Sequence, residues 1–125
     1  MTLRILYVDD EADIREIVTL SLSLDPDIQV ETASSGATAL DRAREGGWDL
    51  ILLDVMMPVM DGPTAFAELG KNEATRAIPV GFVTARTQQH EIAHFLALGA
   101  TGVIAKPFDP MTLAKQVRRL CAPRE

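Results

Sequence analysis

Residues 50–62 read LILLDVMMPVMDG, in which four apolar residues precede one aspartate and a methionine-rich loop. An unbroken apolar run of this length is typical of a strand buried on both faces, as in parallel sheets covered by helices. We therefore predict a strand over residues 50–53, with Asp54 at its carboxyl end. Ligands of open parallel sheets bind beyond these ends, so Asp54 is the first candidate functional residue.

Similar apolar runs, each followed by a segment of helical period, extend on both sides of this strand. Further strands are predicted at residues 3–8, 28–33, 78–83 and 102–105, and helices at 11–24, 35–45, 63–69, 87–98 and 110–120. Strands that alternate with helices imply right-handed crossovers and a parallel sheet covered on both faces. The predicted fold class is α/β, doubly wound, with five parallel strands flanked by five helices in one domain over residues 1–125.

Capping residues predict where the helices begin and end. Short polar side chains accept hydrogen bonds from a first helical turn, and the candidates are Asp10, Ser34 or Ser35, Thr87 and Asp109. Proline suits a first helical position, and the candidates are Pro63 and Pro110. Glycine suits the left-handed position after a helix, and the candidates are Gly46, Gly70 and Gly99.

Composition indicates a globular domain and argues against several functions. The chain has 125 residues, 47% of them hydrophobic and 24% charged, which is close to the average for folded domains. A net charge of −6 argues against nucleic acid as a partner, because phosphate binding needs clustered cations. No apolar stretch is long enough for a membrane span or a secretory signal, and the single cysteine, Cys121, agrees with a reducing compartment. We expect a cytoplasmic protein that does not bind membranes.

Side chains able to take part in chemistry follow four of the five predicted strands. They are Asp9 and Asp10 after the first, Asp54 after the third, Thr84 after the fourth, and Lys106 with Pro107 after the fifth. Because the carboxyl ends of parallel strands meet at one edge, we expect these side chains to converge. Taken singly, each has a plainer interpretation as a helix cap, a turn residue or a surface cation. Their joint placement favours a functional site.

Three carboxylates in one crevice repel each other unless a cation neutralises them. Mg²⁺ suits such a site, because it prefers oxygen ligands and is usually held by one or two carboxylates plus phosphate. A carboxylate can also act as a nucleophile toward phosphorus and form an aspartyl phosphate. Both histidines, His90 and His94, fall within a predicted helix, and we interpret them as solvated or partner-facing positions rather than a metal site. The set indicates a phosphoacceptor, not an enzyme with turnover.

Four segments together resemble the receiver domain of two-component response regulators over essentially the whole chain. They are ILYVDDE at 5–11, LLDVMMPVMDG at 52–62, VTAR at 83–86 and AKPFDP at 105–110. The resemblance implies a flavodoxin-like sheet with strand order 2-1-3-4-5. It also implies phosphorylation by a histidine kinase or a histidine phosphotransfer protein.

The resemblance also implies roles for individual residues. Asp54 corresponds to the phosphoacceptor, Asp9 and Asp10 to the acidic pair that binds Mg²⁺ together with Asp54, and Met56 to a metal ligand through its backbone carbonyl. We expect no cofactor other than Mg²⁺.

Three further positions carry over, and a fourth departs from the family. Thr84 corresponds to the switch hydroxyl and Lys106 to the phosphate-pairing amine, with the bond before Pro107 expected to be cis. Receivers commonly have an aromatic residue three positions before the lysine, and here that position is Val103. Valine is stiff about its first side-chain torsion and cannot make the same swing.

The first hypothesis is a stand-alone receiver without an effector domain. Its output would be a phosphorelay or a protein contact through the face formed by the fourth helix, fifth strand and fifth helix. One alternative is a pseudo-receiver that binds partners without phosphorylation. The other is a Mg²⁺-dependent aspartyl phosphatase, although its general acid is usually an aspartate at the position of Met56.

Overall fold

A computed structural model describes residues 2–121, which form a parallel sheet with helices on both faces. The strands are β1 (Leu3–Val8), β2 (Ile28–Ala33), β3 (Leu50–Asp54), β4 (Val80–Thr84) and β5 (Gly102–Ala105). The helices are α1 (Ala12–Leu22), α2 (Gly36–Ala43), α3 (Gly62–Gly70), α4 (Gln89–Leu98) and α5 (Leu113–Cys121). No helix in this described part of the chain has the length and apolar character needed to cross a bilayer.

The sheet order is β2-β1-β3-β4-β5 with every pairing parallel, which confirms the predicted fold class. The chain runs outward from β1 to β2 and then returns across β1 to β3. The strand order therefore reverses between β1 and β3, and a crevice opens beyond their carboxyl ends. Asp9 and Asp54 lie at these two ends.

Alternate strand residues pack into two apolar clusters, one on each face of the sheet. One cluster joins β-strand residues such as Leu53 and Phe82 to buried residues of α2, α3 and α4. The other joins residues such as Tyr7 and Leu52 to buried residues of α1 and α5. Because side chains alternate along a strand, each central strand contributes to both cores.

Several predicted caps are wrong at the carboxyl edge, because the loops there use other groups. Asp10 does not cap α1; Glu11 is the N-cap without a side-chain bond, and Asp9 Oδ1 accepts the Glu11 N–H at 2.9 Å. Thr87 does not cap α4 either, since Gln88 is the N-cap and makes no side-chain bond. Between the two serine candidates, Ser35 is the cap of α2 and accepts from the Thr38 N–H.

Other boundaries shift for local reasons. Strand β4 begins at Val80, not at residue 78, because Pro79 lacks the N–H that ladder pairing requires. Helix α5 begins at Leu113, since Asp109 accepts backbone hydrogen bonds in a turn that precedes it. Gly70 is the last residue of α3, and the C-cap after it, Lys71, has a right-handed backbone conformation. The left-handed position predicted for Gly70 is therefore wrong. Gly99 does cap α4 with a φ of 115°.

Two glycines paired across β4 and β5 make room for α5. Gly81 lies opposite Gly102, and a Cβ placed on either one would collide with the Leu120 side chain of α5. At Gly81 the nearest Leu120 carbon would be 2.9 Å away. The glycine that interrupts β4 in the sequence therefore allows close approach of a helix near the C-terminus.

A third glycine supports the strand that carries Asp54. Gly62 begins α3, and a Cβ placed on it would lie 2.6 Å from the Asp54 carbonyl oxygen and 3.0 Å from Val55 Cα. Both of these neighbours are backbone atoms, which cannot move without displacing the end of β3. The first turn of α3 therefore needs glycine to pack directly against the end of β3.

We predict that Gly62→Ala lowers the free energy of unfolding by about 1–3 kcal/mol, the range typical of overpacking. Gly70→Ala is the matched control, because Gly70 is helical with no atom within 4 Å of its added Cβ. Alanine there should not lower stability, because glycine in a helix loses more conformational entropy on folding than alanine does. Urea denaturation measures both values, and equal effects of the two substitutions would contradict the packing at Gly62.

Candidate functional site

Three carboxylates meet at the carboxyl edge of the sheet. Asp9, Asp10 and Asp54 each offer an oxygen within 4.8 Å of the other two. Asp9 and Asp54 are buried at 0% and 4% exposure, whereas Asp10 is exposed. Within residues 2–121 no other group of three acidic, histidine or cysteine side chains is placed to hold a metal ion. His90 and His94 are exposed on α4 and lie outside this group.

The Asp9 carboxylate is fully buried and accepts three hydrogen bonds. The Glu11 N–H donates to Oδ1 at 2.9 Å, and the Tyr7 hydroxyl donates to Oδ2 at 2.7 Å. Lys106 Nζ donates to the same Oδ2 at 2.9 Å. The role of Tyr7 was missed in the sequence, because it stands within an apolar strand and reads there as a core residue.

Lys106 places one ammonium group between the two buried carboxylates. Its Nζ lies 2.9 Å from Asp9 Oδ2 and 3.3 Å from Asp54 Oδ2, and its side chain is 17% exposed. The Lys106 N–H donates to the Thr84 carbonyl at 2.9 Å, which ties the end of β5 to the end of β4. The Lys106–Pro107 peptide bond is cis.

Burial and charge shift the pKa values of the two buried carboxyls in opposite directions. Burial, followed by the nearby Asp9 charge, raises the pKa of Asp54 from 3.8 to about 6, against the opposing effect of Lys106. Burial would also raise the pKa of Asp9, but hydrogen bonds from Glu11, Lys106 and Tyr7 outweigh it and hold this pKa below its usual value. Asp9 is therefore the better stabilised anion of the two.

The same cluster raises the pKa values of its two donors. Burial, and then the hydrogen bond to Asp9, raise the pKa of Tyr7, so the phenol keeps its proton. Burial would lower the pKa of Lys106, but the two carboxylates outweigh burial and raise it. At neutral pH the buried site therefore contains a charged amine and a neutral phenol.

Thr84 lies buried at the end of β4, where its hydroxyl faces a backbone donor. Thr84 Oγ1 accepts the Arg86 N–H at 2.9 Å, and the residue is 4% exposed. A hydroxyl that accepts one hydrogen bond still has its own proton to donate. The Arg86 side chain is 78% exposed and extends toward Glu91.

The loop after Asp54 exposes apolar side chains at the edge of the site. The Met56 side chain is 73% exposed, and Val59 is fully exposed with a φ of 70°. The nearby Met56 N–H lowers the pKa of Asp54, against the larger effect of burial. The carbonyl of Met56 as a metal ligand stays a prediction.

Three acidic groups and one ammonium leave the site with excess negative charge. The candidate metal ligands in this cluster are all carboxylate oxygens, and hard divalent cations prefer oxygen ligands. The raised pKa of Asp54 shows that its ionised form is held at a cost when no cation is present. The arrangement can therefore bind a divalent cation and can present one carboxylate as a nucleophile.

Comparison with known proteins identifies the family. The family model described as "Response regulator receiver domain" matches residues 5–118. The chain is 42% identical over 121 residues to the response regulator PleD of Caulobacter vibrioides, and 38% identical over 118 residues to the phosphate regulon transcriptional regulatory protein PhoB of Escherichia coli. These matches cover 96% and 94% of this chain but 26% of PleD and 51% of PhoB, so the chain spans about a quarter to a half of these relatives.

A solved structure matches over nearly its whole length. The chemotaxis response regulator CheY4 of Vibrio cholerae superimposes with a TM-score of 0.86 at 35% sequence identity. The match covers 96% of this chain and 99% of CheY4.

We predict that Asp54→Asn stabilises the metal-free protein at neutral pH by on the order of 2 kcal/mol, and much less at pH 4. A carboxyl with a raised folded-state pKa destabilises the fold progressively as pH rises from its ordinary pKa of 3.8 to about 6, and fully above that. Asparagine removes this cost. Urea unfolding in a chelating buffer at pH 4 and pH 7.5 measures the difference.

The matched control is Asp13→Asn, at an exposed carboxylate on α1 outside the cluster. It should lower stability by less than about 1 kcal/mol, the effect of an acidic group in a first helical turn, and should not raise it at either pH. A gain from Asp54→Asn that is the same at both pH values would contradict the raised pKa.

Proposed function

The chain belongs to the family of response regulator receiver domains, and on this basis we propose that it accepts a phosphoryl group on Asp54 and signals through contact with another protein. The observation that carries the proposal is the position of the Asp54 carboxylate. It lies buried at the end of β3, within 3.3 Å of the Lys106 ammonium and beside two further carboxylates. The site therefore combines a nucleophile, the Asp54 carboxylate, with a cation, Lys106, that can offset phosphoryl charge.

The proposed donor is a phosphohistidine on a histidine kinase or a histidine phosphotransfer protein. An Asp54 carboxylate oxygen attacks phosphorus and forms a new P–O bond, while the P–N bond to the donor imidazole breaks and its electron pair stays on nitrogen. The product is an acyl phosphate on Asp54. Attack requires the ionised carboxylate, which predominates when the pH is above the Asp54 pKa of about 6.

The residues at the site fit Mg²⁺, because three carboxylates within 4.8 Å supply only oxygen donors and more negative charge than Lys106 offsets. We assign Asp9, Asp10, Asp54 and the Met56 backbone carbonyl as the groups that would hold it. Mg²⁺ supplies charge neutralisation for the phosphoryl oxygens when it is bound. The Asp10 carboxylate is exposed to water, whereas the Asp9 carboxylate is fixed by three hydrogen bonds.

Lys106 and Thr84 are proposed to hold the transferred phosphoryl group. Lys106 Nζ lies 3.3 Å from Asp54 Oδ2, so a phosphoryl oxygen attached to Asp54 comes within reach of the ammonium. The Thr84 hydroxyl already accepts from the Arg86 N–H and has its proton available for a phosphoryl oxygen. A shift of Thr84 toward Asp54 would pull on the loop between β4 and α4.

Output through the face of α4, β5 and α5 belongs to the same proposal. Val103 on β5 is partly buried and packs against the cluster that contains Phe82 and Phe95. Because Val103 has no aromatic ring to change position, the β4–α4 loop is proposed to reposition α4. A single receiver domain over residues 1–125 is also proposed, and the family-model match over residues 5–118 supports it.

We expect incubation with Mg²⁺ and a small phosphodonor to add one phosphoryl mass to the native chain, and none to Asp54→Asn. Asp13→Asn should accept the group as the native chain does, because its carboxylate lies outside the cluster. Intact-mass spectrometry measures all three. Addition to Asp54→Asn would place the acceptor elsewhere, and no addition to the folded native chain would favour a phosphorylation-independent binding module.

Millimolar Mg²⁺ should raise the melting temperature by about 4 °C through binding to the folded state. Asp10→Asn should reduce this rise, since Asp10 is an exposed member of the cluster and its substitution leaves the core intact. Thermal unfolding across a Mg²⁺ titration measures both, with Asp13→Asn as the control expected to match the native chain. An equal rise in all three proteins would argue against this site as the metal site.

A further inference from the structure

Tyr7 is the single tyrosine of the chain and makes a contact that core packing does not require. It lies in β1 with no exposed surface, and its ring meets Phe108 edge-on with centroids 6.2 Å apart. Its hydroxyl donates to Asp9 Oδ2 at 2.7 Å. A buried phenol needs an acceptor, and here the acceptor is a carboxylate of the functional site rather than a backbone carbonyl.

The oxygen that Tyr7 contacts is also the one that holds Lys106. Asp9 Oδ2 receives the Tyr7 hydroxyl and the Lys106 ammonium, while Asp9 Oδ1 receives the Glu11 N–H. Lys106 Nζ is 0.4 Å closer to Asp9 than to Asp54, at 2.9 Å against 3.3 Å. In the unphosphorylated protein, Lys106 is therefore held mainly by Asp9.

Taking the proposed function as the premise, we propose that Tyr7 is a positioning residue. Its hydrogen bond to Asp9 allows Lys106 to leave Asp9 and pair with the phosphoryl group on Asp54. When Lys106 turns toward a phosphoryl oxygen, Asp9 Oδ2 loses one of its two donors. The Tyr7 hydroxyl remains in place and keeps this buried oxygen hydrogen-bonded. The phosphorylated arrangement is then reached with a side-chain donor still on this buried oxygen.

Without the Tyr7 hydroxyl, the move of Lys106 from Asp9 to the phosphoryl group becomes less favourable. In Tyr7→Phe, Lys106 would be the single side-chain donor to Asp9 Oδ2, and its departure would leave this buried oxygen without a side-chain donor, at a cost in free energy. Lys106 would therefore stay on Asp9, and the phosphoryl group would lose part of its pairing. The substitution keeps the aromatic ring and its edge-on contact with Phe108, so the core should stay packed.

The first test uses the native chain labelled with carbon-13 at the tyrosine ζ carbon, which gives one NMR signal because there is one tyrosine. We expect the signal to move when mass spectrometry shows phosphorylation of Asp54, because the Tyr7 hydroxyl then becomes the main side-chain donor to Asp9 Oδ2. The same treatment of Asp54→Asn should leave the signal where Mg²⁺ alone places it. An unmoved signal in a protein shown to be phosphorylated would overturn the proposal.

The second test compares phosphorylation rates at saturating Mg²⁺. Tyr7→Phe should react roughly three- to tenfold more slowly than the native chain, the range for a charge-assisted hydrogen bond that matters more in one state than in the other. The matched control is Thr75→Val, which deletes a buried hydroxyl bonded to the Leu69 carbonyl at 2.7 Å, in the loop that precedes β4. Thr75→Val should react at the native rate even if it loses stability.

The outcomes separate this inference from the function it depends on. A native chain that gains no phosphoryl group overturns the proposed function and the role of Tyr7 with it. A native chain that is phosphorylated, with Tyr7→Phe reacting at the same rate as Thr75→Val, overturns the role of Tyr7 alone. A slower Tyr7→Phe with a native-like Thr75→Val supports it, since general loss of stability would affect both variants.

Discussion

Two buried carboxylates that share one ammonium group are the interaction on which the rest of this structure depends. Asp9 and Asp54 end adjacent strands at the reversal of strand order, and Lys106 reaches both from the end of β5. Burial makes their charges costly, and the cost falls unequally: hydrogen bonds stabilise the Asp9 anion, while Asp54 retains a pKa raised to about 6. The less stabilised carboxylate is the one proposed to react, and cation binding would relieve its unfavourable charge.

Backbone packing holds these groups at the distances the site requires. Gly62 lets α3 approach the Asp54 carbonyl directly, and the Gly81–Gly102 pair lets Leu120 of α5 lie against β4 and β5. These two strands end at Thr84 and Ala105, the residue before Lys106. The glycines thus connect the position of α5, part of the proposed output face, with the strands that carry the proposed phosphoryl-binding residues. A change at either strand end can reach that face through packed side chains, although Val103 offers no aromatic ring to move.

The Tyr7 hydroxyl extends the site into the core on the face covered by α1 and α5. Tyr7, two positions before Asp9 within β1, shares Asp9 Oδ2 with Lys106 and so influences how firmly Asp9 holds Lys106. This contact matters because Lys106 must change partners on phosphorylation, and its departure costs free energy if the oxygen it leaves has no other side-chain donor.

Local patterns in the sequence determined the strands β1, β2 and β5 to the residue, and they placed Asp9, Asp10, Asp54, Thr84 and Lys106 at strand ends, because apolar periodicity and strand termination are properties of a few consecutive residues. Caps at Asp10 and Thr87 could not be predicted so well, since loop backbone geometry decided which group satisfies the first turn. The tertiary structure alone decided that Lys106 contacts Asp9, 97 residues away, more closely than Asp54, and that Leu120 fills the space at Gly81. It also decided that the Tyr7 hydroxyl bonds Asp9 instead of a neighbouring strand. Such contacts depend on distances of tenths of an ångström between elements far apart in the chain, and no local pattern encodes them.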